Sequence, residues 1–78
     1  MESSMKEMME EMKQKSGEEF DQAFLEAMII HHQQAVDMAE MAAGQARDPR
    51  VKEFAEDIIE DQREEIEEMK EVRDEANV

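Results

Sequence analysis

The sequence predicts an all-α single domain over residues 1–78: an antiparallel helical hairpin with an extra helix in front of it. Two observations carry that expectation. Apolar residues recur every three to four positions in every segment and nowhere alternate as a half-buried strand does. The single proline and the two glycines fall at or near the ends of those periodic stretches. Length adds a third: 78 residues bury a modest core, which usually needs a metal or a partner subunit to be stable.

The first helix is expected from about residue 4 to 15. Ser4-x-x-Glu7 fits a capping box at its start. Met1, Met5, Met8, Met9 and Met12 fall on one face, a spacing that suits adaptable packing and also a sulfur-lined cation surface. The second helix, about 16 to 46, opens on a clearer capping box, Ser16-Gly-Glu-Glu19. The third, about 48 to 77, takes Asp48 as its N-cap and Pro49 at the first helical position, where a missing N–H costs nothing. A tight turn near Arg47 then folds the last two helices into a hairpin with arms of roughly 40 Å.

The third helix has one apolar face, made by Val51, Phe54, Ala55, Ile58, Ile59, Ile66, Met69 and Val72. The second is apolar around more than half its circumference. Phe20, Phe24, Met28, Ala35, Met38 and Ala42 form a central line, flanked by Leu25-Ile29-Val36 on one side and Ile30-Met41 on the other. One partner helix cannot cover that much surface. The methionine face of the first helix covers one flank, and a second subunit is expected to cover the rest, giving a homodimeric helical bundle. Asp21 and Arg73 come to a similar level and are expected to form an ion pair.

A net charge of −14 repels phosphate backbones, which excludes nucleic acid as a partner, and concentrates small cations near the surface. There is no cysteine, so disulfides and thiolate metal sites are excluded. No apolar run reaches the eighteen or so residues of a membrane span. The first residues, "MESSMKEMMEEM", lack the basic start and apolar stretch of an export signal, so the chain as written reads as cytoplasmic.

The chemistry concentrates in "EAMIIHHQQAVDMAEM", residues 26–41. A hairpin turning near residue 48 pairs positions whose numbers sum to about 96, give or take one turn. Glu65 then faces His31, Met69 faces Met28 and Gln62 lies opposite Ala35, so polar groups interrupt both apolar faces at one level. Burying them costs a few kcal/mol unless they are hydrogen-bonded or bound to something. Met28, His31, His32, Gln62, Glu65 and Met69 make one layer, with Met38 two turns further along. Thioether and neutral imidazole together are the ligand set of Cu(I) and its mimic Ag(I). Met28, His31, His32, Met38 and Met69 are the candidate metal ligands, with Gln62 and Glu65 behind them to orient the imidazoles. Adjacent histidines diverge by about 100°, so they need not share an ion. His31 is expected nearer the hairpin seam, and His32 toward a neighbouring helix or the second subunit.

The competing reading is a metal-free interaction or scaffold module in which a His/Gln/Glu layer only sets the register. An enzyme is not expected. The Glu-x-x-His pairs of carboxylate-bridged di-metal sites are missing, since Glu65 is followed three residues later by Glu68. No nucleophile–base arrangement or phosphate-binding loop is seen.

The stretches "FDQAFLEAMIIHHQQAVDMAEMA" and "VKEFAEDIIEDQREEIEEM" resemble the bacterial domain-of-unknown-function 305 family, which carries a paired-His motif on one helix and an I-x3-Q-x2-EI-x2-M motif on the next. The resemblance covers about residues 20–69. It implies a ferritin-like helical bundle and copper binding, linked to copper resistance or trafficking outside the cytoplasm. Met28, His31, His32 and Met38 match the first motif; Ile59, Gln62, Glu65, Ile66 and Met69 match the second. By the same resemblance, a trimmed export signal would make the protein periplasmic or secreted. The aromatic residue that commonly follows the family's final Met is absent from "KEVRDEANV".

Overall fold

The structure, a computed structural model, describes residues 5–76. Three helices follow in order: α1 (Met5–Lys13), α2 (Gly17–Gln45) and α3 (Pro49–Ala76). Met1, the expected cap at Ser4 and Asn77 at the end of the expected third helix lie outside the described residues. α2 and α3 form the antiparallel hairpin, and α1 packs on α2 alone. No helix among the described residues is long and apolar enough to cross a membrane.

The two junctions are built differently. After α1, the amides of Gln14 and Lys15 donate to the carbonyls of Glu11 and Met12, which turns the chain tightly. Ser16 takes the extended N-cap conformation, but its side chain makes no capping hydrogen bond. The expected capping box is therefore not formed. Its geometry needs a helical residue directly after the cap, whereas Gly17 has φ +60°. A side chain at that position would touch nothing within 4 Å, so its cost is conformational alone, about 1–2 kcal/mol.

The hairpin turn follows the expected chemistry. The Ala46 amide closes α2 on the Ala42 carbonyl at 2.8 Å. Asp48 then caps α3, its Oδ1 accepting the Arg50 amide at 2.8 Å and its carbonyl accepting the amides of Val51 and Lys52. The Arg50 guanidinium folds back on the same carboxylate through Nε at 3.1 Å and Nη2 at 2.8 Å. That contact, with the Arg50 amide, holds the Asp48 carboxyl below the usual range and raises the Arg50 guanidinium.

The register agrees with the expected one: His32 meets Glu65 and Gln22 reaches the Arg73 carbonyl, pairs whose numbers sum to about 96. The seam does not follow the expected line on α2. Phe20, Phe24 and Met38 are exposed, while His32, Val36 and Ala39 are buried and Leu25 and Ile29 half-buried. The strip expected as a flank is thus the seam. Its residues are smaller, and with buried Ala55 and Ile66 on α3 they let the helices approach closely, which bulky Phe and Met would prevent. Ala27 is also buried, but on the roughly opposite side of α2, beneath α1. There Met8 and Met12 line a cavity of about 190 Å³ with Ala23, Ala27 and Ile30, so two of the methionines serve packing. The expected Asp21–Arg73 ion pair is not formed: Arg73 Nε donates to Asp74 at 3.1 Å, and Asp21 is exposed.

Candidate metal site

The two histidines diverge as helical geometry requires, their ring centroids 6.1 Å apart and their planes at 70°. Which one faces the seam is the reverse of the sequence expectation. His32 is the buried one, 7% exposed, because it shares the strip of Val36 and Ala39. His31 is exposed and faces the other side of the hairpin. A shift of one residue moves a side chain by about 100°, enough to exchange these roles.

His32 Nε2 lies 2.7 Å from Glu65 Oε1. An ionised carboxylate only accepts, so Nε2 carries the proton and donates it. The Glu65 side chain is 54% exposed and keeps much of its hydration, while the imidazole does not. In the neutral ring this leaves Nδ1 with a bare lone pair. Nδ1 is buried and has no hydrogen-bond partner. Leaving such an acceptor unmet costs about 1–3 kcal/mol.

Around it the register places the soft donors. Met28 is one turn before His32 on α2, and Met69 is one turn after Glu65 on α3. Both are half-buried, as is Gln62, and Met28 and Met69 come to the same level of the hairpin. The expected layer therefore divides. Met28, His32, Gln62, Glu65 and Met69 belong to the seam; His31 and Met38, the latter 70% exposed, belong to the outer face. The donor types found at this level, an imidazole nitrogen and two thioethers, are those that suit a soft ion. Among the described residues no three His, Asp or Glu side chains converge as a harder ion would need.

The outer face is a groove of about 370 Å³ lined by His31, Gln34, Ala35, Met38, Val51, Phe54 and Ile58, with Ala39, Ala42 and Ala55 completing it. None of these residues is charged. Sequence reasoning put the Phe20–Met38 line inside the seam rather than on the open face, and His31 rather than His32 at the seam. The signal was present: His32, Val36, Ala39 and Ala43 recur at spacings of four, three and four, a stripe of compact residues suited to close helix approach.

Comparison with known proteins gives kinship. The chain is 42% identical over 58 residues to an uncharacterized protein of Acanthamoeba polyphaga mimivirus, an alignment covering 74% of this chain and 38% of that relative. The chain thus spans well under half of the relative's length. No solved structure matches it. The model of the family described as "Domain of unknown function (DUF305)" matches residues 1–73, across both histidines and the Gln62–Met69 segment, and the chain belongs to that family.

Proposed function

We propose that this protein is a small non-enzymatic binder of a soft metal ion, Cu(I) with Ag(I) as its mimic, serving copper sequestration, resistance or trafficking. The observation that carries the reading is the buried Nδ1 of His32, unpartnered while Glu65 holds the opposite nitrogen. A carboxylate on the far side of an imidazole fixes its tautomer, aims its free lone pair and raises its basicity, as in many metal sites. His32 Nδ1 would hold the ion together with the thioethers of Met28 and Met69. Thioether and imidazole donors favour Cu(I). The excess of carboxylates over the rest of the surface raises the local concentration of cations without itself forming the site.

The apolar outer face supports the second half of the reading, a homodimer in which two hairpins complete a ferritin-like four-helix bundle. One observation favours the metal-free alternative: the His32–Glu65 bond by itself pins the register of the hairpin, as a structural polar layer would. Thermal melts with Ag(I) separate the two. A ligand at about a hundred times its dissociation constant stabilises by about 2.7 kcal/mol. The expected outcome is such a shift for the wild type and a clearly smaller one in His32→Ala; an unshifted wild type, or an equal shift in His32→Ala, leaves His32 only the structural layer.

A further inference from the structure

The seam uses His32 and leaves His31 without a role, although it lines the uncharged groove at the end nearer the open end of the hairpin. That groove is one end of a longer face. By helical phase Phe20 and Phe24 of α2 and Val72 of α3 continue it toward the open end of the hairpin, all exposed. The occupant of the groove must meet it without charge. In a chain whose residues are 41% charged, the surface best matched to it is the same face of a second copy. Area agrees. With Phe54 and Met38 68% and 70% exposed, and Phe20, Phe24, Val51, Ile58 and Val72 less so, the large side chains offer roughly 650 Å² per copy. Two copies bury about 1,300 Å², within the range of stable interfaces.

Symmetry then fixes where His31 goes. α2 runs from residue 17 to 45, and His31 is its midpoint. A two-fold axis along the helices sets every level against itself; a two-fold axis across them at the centre of the face sets only the midpoint against itself. Either way His31 of one copy lies level with His31 of the other.

We infer that a second copy of this chain covers the groove and that the two His31 imidazoles, one from each copy, form a second soft-metal site on the two-fold axis. The inference rests on the soft-metal reading for the ion it takes, but not on the His32 seam. No carboxylate lines the groove to pair with a protonated imidazole. Two neutral imidazoles facing each other satisfy one N–H and one lone pair by bonding each other, and leave one of each unmet. A two-coordinate ion takes both lone pairs at once and leaves each N–H for Gln34, one turn along the same face. The site is incomplete in one chain.

Native mass spectrometry of the full chain with Ag(I) alone as the probe tests this. The expected wild type is a dimer carrying three ions, one in each seam and one on the axis. His31→Gln, which keeps a polar side chain, gives a dimer carrying two; Phe54→Glu gives a helical monomer by circular dichroism that carries one. A monomeric wild type, whose groove then serves another partner, or a His31→Gln dimer that keeps the wild-type count, overturns the inference. A dimer with one ion, removed by His31→Gln and kept by His32→Ala, upholds the axial site and overturns the seam site. Two ions, removed by His32→Ala and untouched by His31→Gln, do the reverse.

Discussion

The two long sides of the α2–α3 hairpin are built on opposite principles. On one, Glu40 meets Arg63 at 2.7 Å and the Gln22 amide reaches the Arg73 carbonyl, so charged and polar groups close over the seam and face water. On the other, Met38, Phe54 and Ile58 stand open with no charge among the groove residues. The polar side is complete as a surface. The apolar side leaves large side chains open to water. Adjacent histidines sit between these worlds: His32 is locked into the seam, and His31 belongs to the open side. One chain therefore holds a buried imidazole and an exposed one at adjacent positions.

The contrast can be broken most strongly at the seam. Ile66→Ala removes a side chain that is 4% exposed and is expected to cost about 3 kcal/mol in urea unfolding; a loss below about 1 kcal/mol would mean that the seam is not the core. Next comes Glu65→Gln, which keeps an acceptor for His32 Nε2 but removes the charge behind it. Ag(I) affinity by competition titration should fall about 10–100-fold, with little change in the metal-free melt. The polar side should yield far less. Arg63→Ala breaks an ion pair whose partners are both half or more exposed, and solvent screening keeps the expected loss within about 0.5 kcal/mol.

The smallest effect belongs to the turn. The Asp48 carboxyl sits below its ordinary range when folded, so its contribution is present above that range and is lost as pH falls through the folded value. Acid melts of Arg50→Ala against the wild type should show that dependence reduced, because the guanidinium is its first cause.

Much of the architecture was legible because it is written in local chemistry. Asp48-Pro49 marks one boundary by capping, and the register follows from the turn by counting. At Ser16 the serine marked the boundary correctly, but Gly17 in the left-handed region changed how the helix starts. The choice of seam was harder. α2 is apolar over most of its circumference, so hydrophobicity alone does not rank its strips, and size decides instead: Ala39 and Val36 pack inward while Phe20, Phe24 and Met38 do not. The candidate site inherited that ambiguity. Its level on the hairpin was readable, whereas the histidine that faces inward depended on a rotation of about 100°.

The capped turn also bears on time. Only residues 46–48 separate the two arms, so Asp48 and Arg50 hold the first seam residues close before any long loop is closed. Each pair that zips shortens the loop for the next, and chains dominated by such nearby contacts fold in microseconds to milliseconds. Stopped-flow refolding should be finished within the mixing dead time or a few milliseconds after it. α1, joined through Gly17 and resting on α2 alone, can dock last without disturbing the seam. His32 meets Glu65 partway along the zipper and tests its alignment before the far ends close.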